Sequence, residues 1–241
     1  MLRHFQGQWR GHILKLKMIN IDLKFDVNEK RDTENVLKYI GSCSNGIDYG
    51  KTIVSLHPEL DSCRREECVD YIDNYYTKNS KKIENDLSKT EWLWLKFKTQ
   101  FESYLNSIFP ENFNFEEVIH VNPSAINSNP IFFEEKTFMY GINLNEKQKL
   151  LVIFHELIHF VYKRFLENFN LDKELESIML ESFNLVILNQ GFFTKILSPE
   201  EERSYPRIRK NKLKLEKLYS ESENLFDFSE KLKRLGCLSN I

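Results

Sequence analysis

Long apolar runs and a regular cysteine pattern are both missing from this chain of 241 residues. No run reaches the roughly 18 uncharged apolar residues that a membrane-spanning helix requires. Residues 1–20 contain charges, glutamine and glycine where a signal peptide needs a continuous apolar segment. We therefore expect a soluble, cytoplasmic protein with no membrane partner.

The four cysteines, Cys43, Cys63, Cys68 and Cys237, include no CxxC pair of the kind that redox and zinc-ribbon proteins use. Cys63 and Cys68 are close in sequence, but a helix through both would disfavour a disulfide between them. Reduced thiols are the expectation, in keeping with a reducing compartment.

An excess of basic residues is also missing, since 34 basic and 36 acidic side chains give a net charge of -2. A nucleic-acid-binding protein normally carries a basic excess, so no nucleic-acid partner is expected. The basic run at 207–217 is interpreted as the solvated face of a helix, because Leu213 and Leu215 offer no surface on which a base could stack.

Residues 1–110 predict a strand followed by helices. The predicted elements are a strand at 12–25, a helix at 28–40, a short strand at 52–56 within a loop, and two helices between 61 and 109 with a break at 78–80. We treat this part as an N-terminal strand and helical layer.

Residues 111–241 predict a small sheet followed by helices. The predicted elements are a strand at 115–121, a loop at 122–130, a hairpin of 131–133 and 137–144, a helix from 145 to about 165, a helix at 172–189 ending at Gly191, a helix beginning at Ser198-Pro199, and a last helix at 226–235 that stops at Gly236. The fold class is therefore α+β, with a core at 111–241 that is either a second domain or continuous with the first part.

The segment Leu150–Val161 is apolar except for His155, Glu156 and His159. A helix of this composition is buried, and unpaired polar groups inside it would each cost a few kcal/mol. His155 and His159 are four residues apart, so they project from one face and could share a zinc ion, with Glu156 beside them as a base. The alternative is that both histidines are ordinary core residues.

Two histidines need a third protein ligand to hold a catalytic zinc. Glu174, Glu176 and Glu181 lie on the next predicted helix, and Glu181 is the favoured candidate because its neighbours are almost all apolar. Glu176, nearer the polar start of that helix, is the alternative. Asn184 lies one turn beyond Glu181, where it would orient Glu181, touch substrate or act as a structural hydrogen-bonding group.

His155-Glu156-Leu157-Ile158-His159 followed by a glutamate on a later helix resembles the gluzincin branch of the zincin metallopeptidases, which includes thermolysin. The resemblance covers residues 115–190. It implies a zincin-like fold, in which a small mixed sheet carries an active-site helix and a glutamate helix, here with extra N-terminal helices.

Two features depart from related patterns. The extension His-x-x-Gly-x-x-His of metzincins is absent, and Leu185 stands four residues after Glu181, where thermolysin-like enzymes have an aspartate. Residues 1–110 match no part of the family pattern.

The resemblance implies a zinc peptidase in which a zinc-bound water, activated by Glu156, hydrolyses a peptide or protein substrate. Zincins often use a Tyr, His or Arg opposite the metal, and Tyr205 beside Pro206 is the candidate here, although packing at a turn explains it as well. The same comparison suggests that 137–144 is an exposed strand edge that pairs with substrate, where Gly141 marks either a close backbone approach or a bulge. His120 is interpreted as an ordinary exposed or core histidine.

Two other functions remain open from the residues alone. One is a non-catalytic zincin-fold sensor or partner-binding protein that keeps zinc as a structural element. The other is a zinc hydrolase that acts on something other than a peptide.

Overall fold

A four-stranded mixed sheet and the helices packed on it form the architecture of the computed structural model, which describes residues 18–40, 43–44, 47–61, 63–197 and 206–238. The strands are β1 (Met18–Phe25), β4 (Asn114–Ser124), β5 (Ile131–Phe132) and β6 (Thr137–Gly141), with β2 (Cys43–Ser44) and β3 (Ile47–Asp48) forming a separate small ribbon. The predicted α+β class is confirmed.

The helices fall before and after β4, β5 and β6. They are α1 (Glu29–Tyr39), α2 (Tyr49–Leu56), α3 (Arg65–Ile108), α4 (Glu146–Leu166), α5 (Lys173–Leu188), α6 (Gly191–Ile196), α7 (Pro206–Arg209), α8 (Lys212–Ser220) and α9 (Leu225–Leu238). Short 3-10 turns cover Pro58–Leu60 and Glu167–Phe169.

The sheet order is β1-β4-β6-β5, in which β1, β4 and β6 are parallel and β5 is antiparallel to β6. Met18 pairs with Asn114 at one end of the β1–β4 ladder, and Phe25 pairs with Val121 at the other. Alternating residues of β1, including Ile19 and Ile21, are buried. The alternation predicted from the sequence is therefore confirmed over residues 18–25, while 12–17 lie outside the described residues.

One face of the sheet packs on α3 and α4. Phe101 of α3 stacks on Phe154 of α4, with ring centroids 4.8 Å apart, and Phe138 and Tyr140 of β6 belong to the same buried cluster. This main cluster includes residues on both sides of position 110, from Ile19 to Leu232. The boundary at 110 stays a prediction.

A second, smaller cluster lies among α1, α2, the first half of α3 and the segment after β4. Its buried members include Val36, Ile53, Ile72 and Ile126. Because α3 contributes side chains to both clusters, one continuous helix connects the two parts of the core.

Two predictions for the N-terminal half are wrong. The predicted strand at 52–56 lies in α2, whose N-terminus is capped by Asp48 through a 2.8 Å bond from the Lys51 N–H. The predicted break at 78–80 lies inside α3, a single helix of 44 residues. Lys78 and Ser80 are exposed, while Tyr76 and Ile83 on either side of them are buried. Packing of the buried residues, rather than local composition, therefore sustains the helix there.

The predictions for the C-terminal half agree more closely with the structure. The hairpin is confirmed as β5 and β6, and α4 and α5 are confirmed near their predicted limits. Gly191 is expected to end the preceding helix, but it is the first residue of α6. The last helix is expected to stop at Gly236, but α9 continues through it to Leu238. The predicted helix start at Ser198-Pro199 lies outside the described residues.

Cys63 and Cys68 form a disulfide, with Cα atoms 6.1 Å apart. The expectation of reduced thiols is wrong for this pair because Cys63 precedes α3 and so does not share a helix with Cys68. Disulfides are rare in the cytoplasm, so this bond counts against the cytoplasmic location, which stays a prediction.

No helix in the described ranges combines the length and the apolar character needed to cross a bilayer.

Candidate metal centre

Helix α4 carries the motif at its middle, and its start is fixed locally. The Asn145 side chain accepts the Gln148 N–H at 3.0 Å and the Gln148 side chain accepts the Asn145 N–H at 3.1 Å, which is the predicted capping box. Most of the helix is buried among β6, α3 and α5. His159 and Glu156 are 4 % and 6 % exposed, so both polar side chains lie in the core, as the sequence predicts.

His155 and His159 lie on the same face of α4. Their ring centroids are 4.5 Å apart and the rings are nearly perpendicular, at 88°. The potential ligand atoms of His155, Glu156 and His159 all lie within 4.8 Å of one another. The i, i+4 spacing therefore brings the two imidazoles together as expected.

Glu181 on α5 faces both imidazoles. Its Oε1 is 3.3 Å from His159 Nε2, and its Oε2 is 3.8 Å from His155 Nε2. The three side chains are mostly shielded from solvent, with 13 % of His155, 5 % of His159 and 14 % of Glu181 exposed. The structure thus brings together the residues that the sequence selects from two separate helices.

These separations fit a shared metal ion better than strong ion pairs. Charge-assisted N–H···O bonds are typically about 2.7–2.9 Å long. Two ligand atoms that each lie about 2.1 Å from a tetrahedral zinc are about 3.4 Å apart. The 3.3 Å distance is close to that second value and the 3.8 Å distance exceeds it by about 0.4 Å. Two imidazole nitrogens with one carboxylate form a donor set that suits zinc.

The pKa of His159 is raised. Burial disfavours the imidazolium and lowers the pKa, but the hydrogen bond to Glu181 and the negative charges of Glu181 and Glu156 together outweigh it. The site is therefore electronegative and favours a cation, whether a proton or a metal ion.

Glu176 is placed differently from Glu181. Its carboxylate forms an ion pair with Lys163 of α4, and about 30 % of the Glu176 side chain is exposed. A carboxylate already paired with a lysine is a poorer metal ligand than one facing two imidazoles. The geometry favours Glu181 over Glu176 as third ligand.

Asn184 of α5 is buried and contacts both histidines. Its Nδ2 donates to the backbone oxygen of His155 at 3.1 Å and lies 3.1 Å from both ring nitrogens of His159. Of the three roles left open by the sequence, the structural hydrogen-bonding group is the one that the structure shows, with the two histidines as its partners.

Lys163 lies one turn beyond His159 on the same helix, a spacing from which its proximity to the site could have been inferred. In addition to pairing with Glu176, its Nζ lies 4.9 Å from the ring centroid of Phe133, which follows β5. Phe133 in turn packs edge-on against Phe160, with ring centroids 5.3 Å apart. The β5–β6 turn is thereby held against α4 next to the motif.

The predicted exposed edge at 137–144 is wrong. β6 lies between β4 and β5, and all five of its residues are buried. At its outer edge the Met139 N–H donates to the Pro130 oxygen at 3.0 Å, and the Gly141 N–H donates to Asn129 Oδ1 at 3.1 Å. The close approach at Gly141 is made by the protein itself, since a Cβ there would lie 2.8 Å from Asn127 Cγ.

Of the two remaining candidates, the structure describes only His120. Tyr205 lies outside the described residues. His120 lies on β4, where its Nδ1 is 2.9 Å from Asp26 Oδ2 and 42 % of its side chain is exposed, as expected for an ordinary surface histidine.

No family model matches this chain, and neither a curated protein nor a solved structure is significantly similar to it.

Proposed function

We propose that this protein is a zinc-dependent peptidase with His155, His159 and Glu181 as metal ligands. The observation that carries the proposal is the convergence of two Nε2 atoms and one carboxylate at 3.3 Å and 3.8 Å, in a site that is largely shielded from solvent. Zinc, when bound, would act as a Lewis acid on a carbonyl oxygen and on a water molecule.

Glu156 is the proposed general base. It is buried, and its carboxylate lies next to the histidines on α4, within the cluster of potential ligand atoms. From there it would accept a proton from the attacking water and later deliver it to the leaving nitrogen of the peptide. A purely structural metal site has no use for such a base.

A zincin-like arrangement is part of the same proposal. Its support is a mixed sheet whose strand β5 runs antiparallel to β6, with α4 packed on β6 and α5 on α4. Residues 115–190 form a strand, a hairpin, the motif helix and the glutamate helix, in that order. The resemblance to zincins likewise implies a sheet followed by an active-site helix and a glutamate helix.

The first test is metal analysis of protein purified without added zinc. About one zinc per chain is expected, because the three ligands are already arranged, and less than about 0.2 per chain would contradict the proposal.

The second test separates binding from catalysis. Glu156→Gln should retain zinc and lose hydrolysis by about 100-fold or more, measured by mass spectrometry on a mixture of a few hundred peptides. His155→Ala should lose both zinc and hydrolysis. Full hydrolysis by Glu156→Gln would show that the proposed mechanism is wrong.

One observation favours the non-catalytic alternative, a sensor or partner-binding protein with structural zinc. The outer edge of β6 is covered by residues 129–132 of the same chain, so β6 itself offers no free edge to an extended peptide. If the wild-type protein binds zinc stoichiometrically and cleaves none of the peptides, this alternative is preferred.

A further inference from the structure

We propose that Asn184 is a positioning residue that fixes the imidazole of His159 in the orientation required for metal binding. The inference rests on the proposed function, since it assigns a role to a side chain that surrounds the proposed ligands.

The contacts of Asn184 connect α5 to both histidines of α4. Its Nδ2 donates to the His155 backbone oxygen at 3.1 Å, which fixes the direction of the amide. The same Nδ2 lies 3.1 Å from Nδ1 and 3.1 Å from Nε2 of His159. A hydrogen bond in the ring plane would reach only one of these nitrogens, so the amide lies against the face of the ring.

His159 is therefore held from two directions by α5. Asn184 covers the face of the imidazole, while Glu181 Oε1 lies 3.3 Å from Nε2. With the face covered, rotation of the ring away from Glu181 would require the amide to leave its bond to the His155 oxygen. The ring thus keeps Nε2 directed at the carboxylate with which it would share a metal ion.

Fold stability alone does not account for this amide. Asn184 is 1 % exposed, and its Oδ1 has no hydrogen-bond partner among the described residues. An unpaired buried acceptor costs about 1–3 kcal/mol, so an apolar side chain of similar size would serve packing better. The polar contacts of Nδ2 with the two histidines are what an apolar side chain could not supply.

The position of Asn184 also explains how the site manages without the aspartate of thermolysin-like enzymes. Leu185 occupies that place and is buried among apolar residues. Asn184, one residue earlier, supplies a side-chain contact from this part of α5 to His159. Outer-shell groups that orient metal-binding histidines commonly change metal affinity by about 10–100-fold when removed.

The experiment compares Asn184→Leu with Ser182→Ala, a matched control on the same helix. Ser182 is buried and its Oγ has no hydrogen-bond partner among the described residues, so its removal tests the loss of a buried polar group that is not hydrogen-bonded to either histidine. Zinc dissociation constants are measured by competition with a chromophoric chelator. The absorption spectrum of the Co²⁺-substituted protein reports the geometry at the metal.

Asn184→Leu should weaken zinc binding by about 10–100-fold and alter the Co²⁺ spectrum, because His159 is no longer held. Ser182→Ala should stay within about twofold of the wild-type protein and keep its spectrum. Asn184→Ala is a second variant with the same expectation, in case leucine does not fit. The thermal unfolding midpoint of each metal-free protein separates a change in stability from a change in the site.

Unchanged zinc affinity and an unchanged Co²⁺ spectrum in the folded Asn184 variants would overturn the inference while leaving the proposed function standing. A wild-type protein that binds no zinc would overturn both. Loss of affinity in the Asn184 variants with a normal Ser182→Ala protein supports the inference, whether or not the wild-type protein cleaves peptides.

Discussion

The Glu102 carboxylate on α3 accepts a 2.8 Å hydrogen bond from the backbone N–H of Ile21 on β1. Two neighbouring side chains on the same helix face extend this contact. Asn106 accepts the Ile19 N–H at 3.0 Å, and Lys98 Nζ donates to the Ile21 oxygen at 2.6 Å. Side chains spaced by four residues along a helix thus hydrogen-bond to the free edge of β1 and block pairing with another strand.

Glu102→Leu should destabilise the fold by about 1–3 kcal/mol, because it leaves the Ile21 N–H without its acceptor. Glu102→Gln is the matched control, since its amide oxygen can still accept that bond. Urea unfolding followed by circular dichroism gives both free energies. Equal losses for the two variants would show that the charge of Glu102, which lies 3.2 Å from Lys98 Nζ, matters more than the bond to β1.

Glu181→Ala should reduce zinc affinity by about 100-fold or more, exceeding the effect expected for a residue that only orients a ligand. Glu176→Gln should leave zinc affinity near the wild-type value, because Glu176 pairs with Lys163 instead. Isothermal titration with zinc, or chelator competition, measures both. If Glu176→Gln gave the larger loss, the choice of third ligand would have to be reversed.

We expect the buried carboxyl group of Asp32 to make the stability of the fold depend on pH. Its carboxylate is fully buried and accepts hydrogen bonds from Ser124 Oγ at 2.8 Å, the Ala125 N–H at 2.6 Å and Tyr76 OH at 3.0 Å. Burial raises the pKa of Asp32 from 3.8 to about 6, although these hydrogen bonds act in the opposite direction.

Because the pKa is higher in the folded state, folding favours the protonated acid. The contribution of Asp32 to stability is complete below pH 3.8 and is lost as pH rises through 6. As pH falls from 7 to 5, Asp32 should increase the free energy of unfolding by on the order of 1 kcal/mol. Denaturant unfolding of the wild-type protein and of Asp32→Asn across this range isolates the effect by difference. Parallel pH profiles for the two proteins would argue against it.

Gly141→Ala should destabilise the protein by about 1–3 kcal/mol through overpacking. The new Cβ would lie 2.8 Å from Asn127 Cγ and 2.9 Å from Asn127 Cα. Adding Asn127→Gly should recover only part of the loss, since the Cα atom remains in the way. Thermal unfolding of the single and double variants tests this, and a Gly141→Ala protein as stable as the wild type would contradict it.

The parts of the fold that could be predicted are those fixed by local chemistry. The capping box of Asn145 and Gln148 identifies the start of α4, and the apolar surroundings of His155, His159 and Glu181 identify the buried cluster. In each case the signal lies within a few residues of the feature.

The parts that could not be predicted depend on contacts between distant segments. The residues at 78–80 resemble a helix break, yet burial of Tyr76 and Ile83 against other elements carries α3 through them. Likewise, the sequence of β6 does not show that residues 129–132 cover its outer edge. The face contact of Asn184 with His159 also depends on how α4 and α5 pack.

The parallel pairing of β1 with β4 determines the order in which the protein can be assembled during synthesis. Met18 and Asn114 are 96 positions apart, so β1 leaves the ribosome long before its partner strand exists. The elements of the candidate metal centre are local by comparison, with contacts that span 25 to 29 positions. Closing a long loop costs more chain entropy and is slower than closing a short one. β1 is thus made well before its partners and docked late, and until α3 or β4 arrives its backbone is exposed to pairing with other nascent chains.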